Sequence, residues 1–143
     1  VIYDEVTEFE AIPVGSWNSY NDDDQVRCVV ISYGPDVDRI LSKVVSNNLP
    51  VMVVNARFIK PLDEAMLNKI HRLNVPVFIY ETDMLAGGLS SAVLEWMNDH
   101  NCSMSLTRIG IKDQFVEHGS VNQIKKAAEV DINTLFDQIN KVI

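Results

Sequence analysis

Three short, almost continuous apolar segments constrain the fold of this chain more than any other feature. They lie within residues 25–33, 51–55 and 76–80, and the first reads QVRCVVISY. A strand that is apolar on both faces must be covered on both sides, as happens in parallel sheets. The segments therefore predict buried strands near the centre of a sheet.

Segments with helical periodicity alternate with these strands. Their apolar residues recur three or four positions apart and would face inward. The inward faces comprise Val37, Ile40, Leu41, Val44 and Val45; then Met66, Leu67 and Ile70; then Leu89, Val93, Trp96 and Met97. Asp63 is a suitable N-cap for the second helix, and Leu62 with Leu67 has the spacing of a hydrophobic staple.

Two further helices are predicted near the carboxyl terminus. Ser120 and Gln123 form a capping box that would open one helix. Asp131 would cap a separate last helix, whose apolar stripe comprises Ile132, Leu135, Phe136, Ile139 and Val142. A weakly alternating strand is predicted at 103–109 and a short edge strand at 15–20. This alternation of strands and helices predicts an α/β fold with a mostly parallel sheet and helices on both faces.

Length and charge narrow the class of protein. The 143 residues fit one domain, and the formal net charge of −8 disfavours binding to phosphate backbones. No apolar segment approaches the roughly 18 residues of a membrane helix. Cys28 and Cys102 form no metal or redox motif, which favours a reduced, cytoplasmic compartment. Residues 1–13 are expected to be a linker or arm, residues 14–143 the domain, and the chain a piece of a larger protein.

Ligands of open α/β sheets bind beyond the carboxyl ends of the strands. Arg57 and Lys60 follow the second buried strand and would bind an anion or pair with carboxylates of this or a neighbouring domain. Gly87 and Gly88 precede a helix, where they would hold a phosphate or permit a tight turn. Glu81 ends the third buried strand and would be a general acid or a structural or interface residue.

His118 is the one histidine placed as a site candidate. It precedes the capping box at Ser120 in a loop. No His, Cys and Asp grouping has metal-ligand spacing, so no metal is expected. The residues alone therefore indicate a soluble α/β domain without a self-contained active site.

Four ordered motifs resemble one family. Residues 55–64 read NARFIKPLDE, residues 80–81 with 87–95 read YE and GGLSSAVLE, and residues 109–119 read IGIKDQFVEHG. Together with IPVG and Trp17 at the start of the domain, they resemble the C-terminal domain of 1-deoxy-D-xylulose-5-phosphate synthase. This is a thiamine-diphosphate enzyme of the transketolase superfamily. The resemblance spans roughly residues 12–130.

The resemblance implies a three-layer α/β/α domain with a five-stranded, mostly parallel sheet in which residues 15–20 form the one antiparallel strand. In such a parent enzyme, pyruvate and glyceraldehyde 3-phosphate give 1-deoxyxylulose 5-phosphate and carbon dioxide, a precursor of isoprenoids, thiamine and pyridoxal. Thiamine diphosphate and Mg²⁺ would bind the upstream domains. This chain would hold no cofactor, would be inactive alone, and would brace the fold and extend a homodimer contact.

The residues singled out above are then expected at domain interfaces or anion contacts: Arg57, Lys60, Glu81, Gly87, Gly88 and His118. An apolar patch left by the neighbouring domains is expected to include Trp17, Phe58 and Phe115. Two alternatives stay open. One is the C-terminal domain of another transketolase or of a 2-oxo acid dehydrogenase beta chain. The other is a free-standing regulatory module that senses a small anion through the Arg57, Gly87 and His118 loops.

Overall fold

Five strands alternate with four helices over the part of the chain that the structure describes. The computed structural model describes residues 11–84, 88–111 and 121–143. The strands are β1 Asn18–Tyr20, β2 Cys28–Ser32, β3 Val51–Asn55, β4 Val77–Met84 and β5 Leu106–Ile111. The helices are α1 Pro35–Ser46, α2 Glu64–Leu73, α3 Leu89–Asp99 and α4 Val121–Val142.

The strands form a single sheet with the order β1-β3-β2-β4-β5. Strand β1 runs antiparallel to β3, and Asn18 lies opposite Asn55. The other pairs are parallel, with Cys28 opposite Val51 and Val29 opposite Val77. The expected five-stranded, mostly parallel sheet with one antiparallel strand is therefore confirmed.

The sheet separates two apolar cores. All five residues of β2 are buried, and its side chains alternate between the cores because successive residues of a strand point to opposite faces. Val30 packs with Ile40 of α1 and Leu135 of α4 on one face. Ile31 packs on the other face in a core to which α2 and α3 contribute, among others, Leu67, Ile70, Val93 and Trp96. Helices cover both faces, as the apolar segments predict.

The prediction of two helices near the carboxyl terminus is wrong. One helix, α4, runs from Val121 to Val142, and Asp131 lies inside it rather than at its start. Aspartate inside a helix costs only a few tenths of a kcal/mol relative to good helix formers, whereas each large buried apolar side chain contributes about 1.5–3 kcal/mol. Packing of the Leu135 stripe therefore overrides the local stop signal. Burial raises the pKa of the Asp131 carboxyl. Ser120 lies outside the described residues.

Trp17 does not belong to an exposed apolar patch, so that prediction is also wrong. Its side chain is only 4% exposed and packs in the core that faces α2 and α3. Phe58 is half-buried, and Phe115 lies outside the described residues. Large apolar side chains are exposed elsewhere, with Val14 at 78% and Val45 at 62%. None of the helices in the described ranges combines the length and apolar character needed to cross a bilayer.

The two cysteines are expected to differ sharply in reactivity. Burial raises the pKa of the Cys28 thiol to about 12 and leaves its side chain inaccessible, so at about pH 8 it stays protonated and shielded. Cys102 is only half-buried. Titration of the folded chain with a colorimetric thiol reagent should show one fast thiol, with the second reacting only after denaturation. Two equally fast thiols in the folded protein would contradict the buried position of β2.

Candidate functional site

The carboxyl ends of the central strands bring several polar residues to one edge of the sheet. Ser32 ends β2 and lies opposite Asn55, which ends β3. The Ser32 hydroxyl donates a hydrogen bond of 2.9 Å to the Tyr80 carbonyl oxygen in β4. Glu81 follows Tyr80 within β4, which continues to Met84, so the prediction that Glu81 ends this strand is wrong.

Arg57 is held by the segment that precedes β1. Its Nε donates to the Ser16 carbonyl oxygen at 3.1 Å, and its terminal nitrogen Nη2 donates to Ser16 Oγ at 2.7 Å. Beside it, the Trp17 indole N–H donates to the Phe58 carbonyl oxygen at 2.8 Å. The loop after β3 is therefore fastened to the start of the domain, and the Arg57 head group is already engaged by neutral oxygen atoms.

Asp63 fastens the other end of the same loop. Its Oδ1 accepts the Met66 backbone N–H at 2.9 Å, which confirms the predicted N-cap of α2. Its Oδ2 accepts the Trp17 backbone N–H at 2.8 Å. The second bond spans 46 positions, so the capping motif alone could not reveal it. The Asp63 carboxylate thus joins the start of α2 to Trp17, the residue that directly precedes β1.

The two segments approach so closely that Gly15 has no room for a side chain. A Cβ placed on Gly15 would lie 2.9 Å from Pro61 Cγ, and the φ angle of Gly15 is +78°. Both facts favour glycine, which alone adopts positive φ without steric cost. Pro61 follows a cis peptide bond. The motif at 55–63 therefore packs against residues 15–17 at the start of the domain and forms hydrogen bonds with them.

Glu81 is buried beneath the start of α3. Its Oε1 accepts the Leu89 backbone N–H at 2.6 Å. Its Oε2 accepts the Ser90 backbone N–H at 3.3 Å and the Ser90 hydroxyl at 2.5 Å. A helix N-terminus attracts anions because its first N–H groups lack partners within the helix. Here the chain supplies its own carboxylate to this position.

This arrangement bears on the phosphate that Gly87 and Gly88 would hold. Gly88 is the N-cap residue of α3, and its φ of −88° is accessible to any residue. Gly87 lies outside the described residues. A phosphate at the N–H groups of Leu89 and Ser90 would compete with the buried Glu81 carboxylate. These contacts favour a structural role for Glu81 over general acid chemistry. They also disfavour a phosphate at the Gly88 turn, because Glu81 already occupies the N–H groups.

Arg108 extends this network and was not singled out from the sequence. Its Nε donates to Ser90 Oγ at 2.7 Å, and its terminal nitrogen Nη2 donates to Ser91 Oγ at 3.3 Å. Arg108 lies in the edge strand β5, opposite Ile79 of β4. The sequence feature that could have pointed to Arg108 is a basic residue within a predicted strand of weak alternation. Arg108 links the edge of the sheet to the start of α3 through Ser90, whose hydroxyl also donates to Glu81.

Tyr80 lies on the opposite face of the sheet, in the core that packs against α1 and α4. Burial, together with the Asp36 and Asp131 carboxylates, raises the pKa of its hydroxyl to about 12, although the charge of Arg39 opposes the rise. The phenol therefore stays protonated at physiological pH. Tyr80 cannot share a site with Glu81, because consecutive strand residues point to opposite faces.

Of the six residues singled out from the sequence, the structure describes Arg57, Lys60, Glu81 and Gly88. Arg57 binds Ser16, Glu81 caps α3, and Lys60 is exposed on a separate groove beside α3. His118 lies outside the described residues, as Gly87 does. Across 11–84, 88–111 and 121–143, no group of three or more His, Cys, Asp and Glu side chains is arranged to hold a metal ion.

The sheet with helices on both faces is a three-layer α/β/α fold of the transketolase C-terminal type. The model of the transketolase C-terminal domain family matches residues 20–135, and this chain belongs to that family. It is similar to the 1-deoxy-D-xylulose-5-phosphate synthase of Geobacillus sp. (strain WCH70), with 34% identity over 140 residues. The synthase of Listeria innocua is 34% identical over 136 residues.

These curated relatives are much longer than the chain. The alignment covers 95% of the chain and 22% of the Geobacillus protein, and 92% and 21% in the Listeria comparison. The chain therefore spans about a fifth of their length. A solved structure described as "Split gene transketolase, inactive beta4 tetramer" shares the fold at a TM-score of 0.74 and 18% identity. The structural match covers 99% of the present chain and 46% of the chain in that solved structure. The chain is thus a transketolase C-terminal domain.

Replacement of Glu81 should destabilise the domain. Glu81→Gln puts an amide N–H₂ against at least one of three donors, so the free energy of unfolding is expected to fall by about 2–4 kcal/mol. Urea denaturation followed by circular dichroism measures the loss. The matched control is Glu95→Gln on the exposed face of the same helix, which should change stability by less than about 0.5 kcal/mol. Equal effects of the two variants would refute the capping role.

Removal of the Asp63 carboxylate should uncouple the start of the domain from α2. Asp63→Ala loses the cap, worth about 1 kcal/mol, and the bond to Trp17, worth about another 1 kcal/mol. Asp63→Asn should lose less, because the amide oxygen still serves one donor. Asp24→Ala, in an exposed turn, is the control. Thermal and urea unfolding should show the lowest stability for Asp63→Ala, an intermediate stability for Asp63→Asn and the highest for the wild type. An unchanged stability of Asp63→Ala would contradict the structure.

Proposed function

We propose that this chain is the C-terminal domain of a thiamine-diphosphate-dependent 1-deoxy-D-xylulose-5-phosphate synthase and that its task there is structural. The observation that carries the structural role is the Glu81 carboxylate, which fills the helix N-terminus where an α/β domain would otherwise take an anion. Asp63 closes the neighbouring loop in the same way. The similarity to synthases of which the chain spans 22% supports placement in a larger enzyme.

The proposed parent joins pyruvate to glyceraldehyde 3-phosphate and releases carbon dioxide, which gives 1-deoxyxylulose 5-phosphate for isoprenoid, thiamine and pyridoxal synthesis. Thiamine diphosphate, held with Mg²⁺ by the upstream domains, supplies the chemistry that turns the acyl carbon of pyruvate into a nucleophile. The residues of this chain that we have described would support those domains rather than touch the reacting atoms. The parent would be a cytoplasmic homodimer.

We place the contact with the upstream domains at the start of this domain. Residues 1–13 would be the connection. The loop at 57–63 would hold the residues that follow this connection through its hydrogen bonds to Ser16 and Trp17. Val14, at 78% exposure, and Ile12, at 56%, offer apolar surface there. Exposed apolar groups at one place often mark an interaction surface. Arg57 and Lys60 would lie near this boundary.

The solved structure with the same fold supports a further part of the proposal. That protein is described as an inactive beta4 tetramer of a split-gene transketolase. By analogy, this chain alone would be inactive, and activity would need the upstream domains in the same polypeptide or supplied separately.

The purified chain should give no 1-deoxyxylulose 5-phosphate from pyruvate and glyceraldehyde 3-phosphate, even with thiamine diphosphate and Mg²⁺ present. Addition of the upstream domains of a synthase, inactive by themselves, should restore product formation, measured by NMR with labelled pyruvate. A destabilised Glu81→Gln domain is the control and should restore less. Product formation by the chain alone would refute the assignment, and failure of folded wild-type domain to restore activity would refute the bracing role.

A further inference from the structure

An open groove of about 490 Å³ lies between the loop at 59–62 and α3. Its volume is in the range of typical binding pockets, about 300–1,000 Å³. The α3 wall consists of Ala92, Glu95, Trp96 and Asp99. These positions are spaced i, i+3, i+4 and i+7, so they form one stripe on the helix. Ile59, Pro61 and Leu62 supply the apolar side of the opposite wall.

The groove is held in shape at one end by a polar bridge. The Trp96 indole N–H donates to Glu64 Oε1 at 3.3 Å, and the His100 ring stacks on Trp96 with 4.8 Å between ring centroids. His100 Nδ1 lies 2.8 Å from the Trp96 carbonyl oxygen, so this nitrogen carries the hydrogen, because a carbonyl only accepts. Glu64 Oε1 lies 3.6 Å from His100 Nε2. These contacts join the start of α2 to α3.

The charge of the groove is negative and largely uncompensated. Glu95 and Asp99 are exposed and make no hydrogen bond or ion pair within the described ranges. Glu64 adds a third carboxylate, beside the His100 ring, and among the described lining residues Lys60 brings the one ammonium group. An occupant that complements this surface carries basic side chains for the rim and apolar side chains for Leu62 and its neighbours.

We propose that this groove docks a basic segment of a protein partner, with arginine or lysine side chains against Glu95 and Asp99 and apolar side chains against the loop at 59–62. Charge excludes several other occupants. Small anions would be repelled. The first ten residues of the chain contain Asp4, Glu5, Glu8 and Glu10 and no basic residue. A second copy of the chain, with its net charge of −8, is also poorly matched.

The test uses the 143-residue chain and a short labelled peptide in which arginine alternates with leucine. The comparison peptide has glutamine in place of every arginine. Fluorescence anisotropy should show binding of the basic peptide only. In NMR spectra, the indole N–H signal of Trp96 should shift on binding, whereas that of Trp17, the other tryptophan, should not. Equal binding of both peptides, or equal shifts of both signals, would overturn the proposal.

Charge variants separate this groove from general attraction to an acidic protein. The double variant Glu95→Gln with Asp99→Asn should weaken binding about tenfold. Asp24→Asn with Asp38→Asn removes the same charge from exposed positions elsewhere and should weaken binding less than about twofold. Lys60→Gln removes the one opposing charge and should strengthen binding about two- to threefold, a gain that misfolding cannot produce. Equal losses in both double variants, or no gain with Lys60→Gln, would refute the site.

Sedimentation velocity on the same variants tests whether a second copy of the chain occupies the groove instead. The proposal expects Glu95→Gln with Asp99→Asn to leave the oligomeric state of the chain unchanged. Loss of an oligomer in this variant alone would show that a second copy fills the groove and would overturn the assignment to a basic partner.

Discussion

The rest of this structure depends on the complete burial of the central strand, β2. β2 pairs with β3 on one side and β4 on the other, so its backbone groups are satisfied within the sheet. Its side chains are buried on both faces, and this is stable only if a helical layer covers each face. The two cores, the positions of α1 with α4 and of α2 with α3, and the single edge where the loops emerge all follow from that constraint.

Because the loops emerge at one edge, their polar groups must find partners there or remain open to a ligand. Among the described residues, four charged side chains at or near this edge find partners within the chain. Asp63 and Glu81 each satisfy donors with both carboxylate oxygens, and Arg57 and Arg108 are engaged by serine oxygens. No buried side-chain nitrogen or oxygen atom lacks a hydrogen bond in the described part of the chain. In the described ranges, these four side chains hold the loops of this edge to the rest of the domain.

The sequence predicted what depends on local pattern and failed where a distant contact decides. The strands, the helices up to α3 and the Asp63 cap follow from periodicity and from interactions within a few residues. The bond from Asp63 to Trp17 spans 46 positions, and the network from Glu81 reaches Arg108 in another strand through Ser90. Neither has a local signature. The break at Asp131 was a real local signal, but the buried stripe of Leu135 and Ile139 continues the helix through it.

The carboxylates of this domain fall into two kinds, and the difference has a physical consequence. Asp63 and Glu81 have accepted donors from the chain itself, so a ligand that approached them would have to replace bonds already made. Glu95 and Asp99 are solvated, and a basic partner would displace only water from them. Recognition is therefore easier on the outward stripe of α3 than at the strand ends. With the bracing role we propose, the domain would hold the described loops by internal hydrogen bonds and still present a surface for contact with a partner protein.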